Sequence, residues 1–205
     1  MDICKKKQKK IIKKSSEESE AGDFWGYTAI KRNSYFFSAF TLGKRTTKTC
    51  RKFIKQFSKV IKTPTVNEKL LIYTDGNFDY KTTIKEVFDT NTVDYGLLVK
   101  VKKAGIVIDK KKEVVFGSPE LKDIETTNVE NFNSILRGRL SRLVRKTNTH
   151  GKNKNKVNDS VELFKFYWNF IKPLRKGLTP RMMENLVNKI WNWEEFFYVK
   201  LHLLN

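Results

Sequence analysis

Two acids and a run of arginines are the parts of this sequence best suited to chemistry on a phosphate chain. Asp75 closes the short apolar run KLLIYT at 69–74 and is followed at once by Gly76, which leaves room for backbone or ligand to approach. Strand ends are where α/β sheets place ligands. By itself, Thr-Asp-Gly is equally the signature of an Asp that caps the next turn through its side chain. Glu130 is the candidate partner. At 100° per residue, Glu130, Asn133, Ser134, Arg137 and Ser141 fall on one helical stripe, beside the apolar stripe of Val129, Phe132, Leu136 and Leu140. Arg137, Arg139, Arg142, Arg145 and Lys146 follow, at a spacing that offers guanidinium groups to a phosphate backbone. The competing reading is a solvated basic face on which Glu130 pairs locally with Arg137 or Ser134.

These residues need a scaffold, and the apolar pattern supplies one. Residues 24–43, FWGYTAIKRNSYFFSAFTLG, are aromatic and β-branched, with an Asn33-Ser34 break that suits a hairpin. Thr46 or Thr47 can cap a helix on which Cys50, Phe53, Ile54, Phe57, Val60 and Ile61 recur, stopped by Pro64. A buried strand at 69–74 leads to a helix at 80–88. Residues 93–116 hold two or three Val-rich strands, with turns near Ala104-Gly105 and Asp109-Lys110, and read as an inserted hairpin. A long helix is predicted from Thr126 or Thr127 to about Lys146. After a polar link at 147–158, Asp159 or Ser160 can cap a helix running through Trp168 and Phe170 to Pro173. A short helix with Pro180 in its first turn follows, and aromatics occupy 191–197. Residues 1–22, with seven lysines in the first fourteen positions and then an acidic stretch, read as a solvated segment ahead of a domain at 23–205. The order of strands and helices points to an α/β layer architecture, a mixed sheet with helices packed on it.

The whole-chain charge narrows the partner. Among 205 residues, 42 Lys and Arg against 22 Asp and Glu leave +20, a balance that attracts polyanions, DNA foremost and an anionic membrane surface second. Aromatics at 13% exclude disorder of the whole chain. No apolar run approaches the roughly 20 residues needed to span a bilayer, and 1–14 lacks the apolar stretch of a secretory signal, so a cytoplasmic, nucleoid-associated location with no membrane partner is expected. Cys4 and Cys50 are the only cysteines and sit too far apart for a C-x-x-C zinc pair; both read as reduced thiols. Trp168, Trp191 and Trp193 read as core aromatics rather than base-stacking platforms, and His150 as an exposed bystander in the link.

Four segments stand in a familiar order: TDGNFDY at 74–80, VENFNSILRGRLSRLVRKT at 129–147, YWNFIKP at 167–173 and TPRMMENLVNKIWNWEEFF at 179–197. Together they resemble the catalytic core of an IS-one-family insertion-sequence transposase. Asp75 and Tyr80 match that family's T-D-G-x-x-x-Y run. Glu130, Asn133, Leu136, Arg137, Arg139, Arg142, Leu143, Arg145, Lys146 and Thr147 match its string around the catalytic Glu, with Asn131 standing where an arginine is common.

The resemblance implies a ribonuclease-H-like mixed sheet flanked by helices, with an inserted β-hairpin before the Glu-bearing helix. It implies an Asp, Asp, Glu triad holding two Mg²⁺ ions, with Mn²⁺ as substitute, and DNA strand cleavage and transfer by two-metal phosphoryl transfer. Asp75 and Glu130 are two of the acids. For the first, the family has D-E and an aromatic in an initial strand; Asp2, directly before a lysine run, is the best match and Asp23 the rival. DNA contacts are implied for Asn133, Arg137, Arg139, Arg142, Arg145 and Lys146. The partners implied are double-stranded transposon ends and target, further copies of the chain on paired ends, and a separate zinc-ribbon and helix-turn-helix end-recognition protein or domain. The alternative is a DNA-binding remnant or regulator without catalysis.

Overall fold

The computed structural model describes residues 2–4, 23–144, 148, 151 and 153–202, with main-chain pairing alone considered at 2–4. Three antiparallel strands form one sheet in the order β1 (Asp2–Cys4), β2 (Asp23–Ile30), β3 (Phe37–Gly43). The predicted hairpin is β2 and β3, closed at residues 31–36 by Lys31 and Tyr35, whose amides donate to Phe36 O and Lys31 O at 2.9 Å. Every residue of β3 is buried, because helices cover both of its faces.

On one face lies α1 (Thr47–Ser58), capped by the Thr46 hydroxyl, which accepts the Thr49 amide. Its apolar stripe seats Cys50, Phe53 and Ile54 against Tyr27 and Ala39 of the sheet. The helix stops before Val60, which is exposed, so the apolar periodicity outlasts the helix by a turn. On the opposite face Phe24, Phe37, Phe40 and Leu42 meet Phe132 and Leu136 of α3 (Thr127–Arg139) and Val157, Val161 and Phe164 of α4 (Lys154–Phe166).

A second sheet of three strands has the order β4 (Leu70–Asp75), β5 (Val93–Lys103), β6 (Ile106–Phe116). β4 and β5 run parallel, joined through α2 (Asp79–Val87), while β5 and β6 are antiparallel. Val93 and Tyr95 of β5 and Ile84 and Phe88 of α2 complete the core that α1 shares with the first sheet. β4 is half-buried rather than buried, since β5 is its sole strand partner among the described residues and Leu71 is exposed. Residues 93–116 form one long hairpin. It turns at Ala104 and Gly105, both at positive φ, and the strand continues through Asp109-Lys110 where a second turn was predicted.

Two further helix boundaries differ from expectation. α3 ends at Arg139 instead of 146: Leu140 is extended, and a 3-10 turn over Ser141–Leu143 follows. Gly138 weakens the helix at that point, and arginines three and four apart repel along a continued one. Leu143 still reaches the core, and the Arg142 carbonyl is taken by the Gly151 amide at 2.8 Å. α4 begins at Lys154, capped by the Asn153 side chain, and Ser160 lies inside it with its hydroxyl on Lys156 O. It widens into a π-helical turn at Tyr167–Ile171. There buried Asn169 exchanges two 2.9 Å bonds with the Phe37 backbone, and Trp168 donates to Tyr35 O. Thr179 and Pro180 open α5 (Pro180–Met183) as expected, and α6 (Trp193–His202) follows. Trp168 is core, whereas Trp191 and Trp193 join Phe166, Phe170 and Phe196 in a half-exposed aromatic group.

Candidate functional site

Asp75 is the last residue of β4, paired in parallel register with Leu98. Directly paired residues share a sheet face and alternate residues return to it, so Asp75, Leu98 and Lys100 lie on one face of the β4–β5 pair. The Asp75 Oδ1 accepts the Asn77 amide at 3.2 Å, the local turn-capping role that Thr-Asp-Gly allowed. Gly76 is not a cradle: a Cβ added there would meet Val99 at an ordinary 3.6 Å. Behind Asp75 stand two phenols, of Tyr80 and Tyr95, and the Cys50 thiol. Thr74 Oγ1 and Tyr95 OH are 2.7 Å apart, and Cys50 Sγ lies 3.2 Å from Thr83 Oγ1. Burial first, then the negative charge of Asp75, holds the Tyr80 phenol well above its ordinary value. Burial likewise pushes the Cys50 thiol up to about 11, against the hydrogen bond from Thr83.

Glu130 sits in the first turn of α3, where a carboxylate suits the helix N-terminus. Its side chain pairs with neither Arg137 nor Ser134 in the contacts the structure gives it. Instead Glu130 Oε1 accepts Lys100 Nζ at 2.5 Å and Thr126 Oγ1 at 2.6 Å. Thr126 occupies the N-cap position but makes no cap bond, because its hydroxyl is turned to the acid. Partial burial pushes the Glu130 carboxyl up, yet the hydrogen bonds from Lys100 and Thr126 and the charges of Lys100 and Lys110 outweigh it, and the net direction is downward. The acid is held ionised, with its side chain 48% exposed.

Lys100 therefore ties Glu130 to β5, the strand paired with β4. It projects from the strand face that carries Asp75 and ends on Glu130. A second tether fixes the start of α3: Arg32, in the β2–β3 turn, lies over the Tyr73 ring at 4.7 Å and donates to the Asp123 carbonyl, while Asn128 Nδ2 donates to Arg32 O at 3.0 Å. Gly96 lets this segment close on the sheet, since a Cβ there would come within 2.6 Å of Ile124.

The remaining site residues are placed unevenly. Asn133 is one turn beyond Glu130, and its Oδ1 is buried without a hydrogen-bond partner. Arg137 and Arg139 are exposed at the end of α3. Arg142 is exposed in the 3-10 turn, off the helical stripe that the long-helix expectation gave it. Arg145, Lys146 and His150 lie outside the described residues. Asp2 pairs through its main chain with Trp25, and Asp23 with Cys4, which puts both in the first sheet; their side chains lie outside the description. Among the described residues no three His, Cys, Asp or Glu side chains converge into a metal-holding group. No helix there is long and apolar enough to cross a membrane.

No family model, curated protein or solved structure matches the chain.

The role of Lys100 had no local signal in the sequence, because it depends on the pairing of β5 with β4 and on where α3 lands. Thr126 and Glu130 did have one, being four apart at a helix start. Asp75 and Glu130 are both exposed carboxylates, the donor type a hard cation takes, and the group bonded to Glu130 is a flexible lysine.

Proposed function

We propose that this chain is the catalytic core of an IS-one-family insertion-sequence transposase, a DNA strand-cleaving and strand-joining enzyme on a ribonuclease-H-like sheet. The observation that carries the reading is the Lys100 bridge, which sets Glu130 of the arginine-bearing helix beside the strand pair that ends in Asp75. The element order lends support: three antiparallel strands, a helix, then two parallel strands joined by a helix. In this reading the distal half of β5 and β6 are the inserted hairpin.

Asp75 and Glu130, completed by Asp2, would hold two Mg²⁺ ions, for which Mn²⁺ substitutes. When bound, such a pair activates an attacking water or DNA 3′ hydroxyl and stabilises the leaving oxygen. The chain's own residues bind and orient. Arg137, Arg139 and Arg142, with Arg145 and Lys146 after them, grip backbone phosphates of duplex DNA, and such contacts are salt-sensitive and indifferent to sequence. Asn133 offers a side-chain amide within a helical turn of the acid. Lys100 and Thr126 keep Glu130 ionised and fix its rotamer. Further copies on paired ends and a separate end-recognition module belong to the same proposal.

The second reading, a DNA-binding remnant or regulator without catalysis, is favoured by the same lysine, whose ammonium already neutralises Glu130. Calorimetric Mn²⁺ titration of the chain beside Asp75→Asn and Glu130→Gln, with oligonucleotide cleavage followed in parallel, separates the two. Saturable binding and cleavage that both variants lose is the expected result, and Asp2→Asn then tests the third acid. A chain that binds DNA but neither holds metal nor cuts it belongs to the second reading.

A further inference from the structure

The outer face of α1 carries a charge pattern that the site around Glu130 does not use. Lys48, Lys52, Lys55 and Lys59 recur at intervals of four, three and four residues. On a helix wheel their stripe points directly away from Cys50, Phe53 and Ile54, which are buried. All four are exposed, and with Arg51 and Gln56 they line a shallow open groove. Arg51 is committed to Glu86 of α2 through bonds of 2.6 and 2.8 Å, whereas the four lysines make no ion pair among the described residues. The helix sequence, TKTCRKFIKQFS, contains no acid at all. Like charges three and four apart on a helix repel. A partner that relieves this repulsion must carry closely spaced negative charge along about 16 Å, the axial rise of about five nucleotides in one DNA strand. An anionic bilayer fits less well, because helices that lie on membranes insert an apolar face, and the apolar face of α1 is occupied by the core.

We infer that this stripe is a second duplex-binding surface, engaging the DNA phosphate backbone on the side of the first sheet opposite α3. The inference rests on the reading of the chain as a DNA-acting protein and extends it to two separated contacts, so that one duplex held near Glu130 leaves α1 available to another segment or another molecule of DNA.

The test is fluorescence anisotropy of a labelled duplex of arbitrary sequence, titrated with the full chain in EDTA at several salt concentrations. The probe set is wild type, a fourfold Lys48→Ala, Lys52→Ala, Lys55→Ala, Lys59→Ala variant, and the corresponding fourfold Lys→Arg variant. Each backbone contact contributes about 0.9 to the slope of log K against log salt. The alanine variant is expected to lose about 2 to 4 from that slope with its melting temperature held, and the arginine variant to retain it. An unchanged slope in the alanine variant overturns the inference, as does a loss shared equally by the arginine variant. The failure of the enzymatic reading looks different: the slope depends on the lysines, but no Mn²⁺-dependent cleavage is found. If wild type binds no duplex, the inference and the DNA reading fall together.

Discussion

Helices α1 and α3 cover opposite faces of the same sheet, and they are built to different ends. α1 has a complete N-cap, a well-separated apolar stripe and a polar side of one sign, so every local signal agrees on a helix. α3 has an unused N-cap hydroxyl, a Gly one residue before its end and an acid set into a basic face. Its two fully buried side chains, Phe132 and Leu136, hold it to the sheet while its first turn is fastened from outside by Lys100, which bonds Glu130, and by Arg32, whose carbonyl takes the Asn128 amide. The comparison teaches that the helix bearing the candidate chemistry is positioned by long-range tethers, and the other by its own sequence.

The largest effects are expected where α3 meets the core. Phe132 is fully buried, with its ring 4.9 Å from Phe37 and 5.2 Å from Trp168, so Phe132→Ala removes the contact that joins β3, α3 and the π-helical turn. A loss of about 3–5 kcal/mol is expected in urea unfolding. A loss under about 1 kcal/mol would mean that α3 is not held by this ring and that the tethers carry it. Next comes Gly96→Ala, which forces a methyl against Ile124 and Tyr73. Overpacking of about 1–3 kcal/mol is expected, and because Ile124 leads into α3, duplex binding should weaken in the same variant. Retained stability would show that the 121–126 segment shifts freely and does not fix the start of α3.

A smaller effect separates the two N-termini. Thr46→Ala removes the cap of α1 and should cost about 1 kcal/mol. Thr126→Ala removes no cap bond, so its stability change should be smaller while the Glu130 carboxyl moves up in pKa. Chemical denaturation paired with a carboxyl titration checks both. Equal stability losses at the two threonines would erase the proposed distinction.

The same contrast explains what could be read from the chain. The start of α1, the β2–β3 hairpin and the Thr179-Pro180 helix start were legible, because in each a turn or cap residue adjoins a periodic apolar run, whereas the end of α1 falls at Ser58, short of Val60 and Ile61. The end of α3 was not legible either. Val129, Phe132, Leu136, Leu140 and Leu143 keep helical spacing across a break, since an extended Leu140 and a 3-10 turn still deliver Leu143 to the core. The start of α4 was missed because Asn153 stands in a polar stretch where nothing apolar marks the first turn. Asp75 at a strand end and Glu130 beside the apolar stripe were recoverable as positions from local pattern, and the bond from Lys100 to Glu130 was not. Strand pairing between β4 and β5 is a long-range fact. Asn169, clasping β3 from 132 residues away, is invisible for the same reason.

The finest test of the comparison is Lys100→Met, which keeps the stem of the side chain and removes its ammonium. Glu130 is lowered in pKa despite partial burial, so the stability it adds is present above the ordinary glutamate value and is lost as pH falls through the lowered folded value. Without Lys100 the hydrogen bond and nearest positive charge are gone while the burial remains, so the carboxyl should rise in pKa and the acid limb of the stability curve should flatten. With the lysine side chain 30% and the glutamate 48% exposed, the change in stability should stay within about 1 kcal/mol. The carboxyl shift is read by NMR titration with ¹³C-labelled glutamate. A Glu130 that titrates unchanged in Lys100→Met would mean the contact is incidental, and α3 would then depend on Arg32, Asn128 and its two buried side chains alone. A raised carboxyl with the fold intact would assign the ionised state of the acid to a residue on a strand of the second sheet, which is the arrangement that distinguishes α3 from α1.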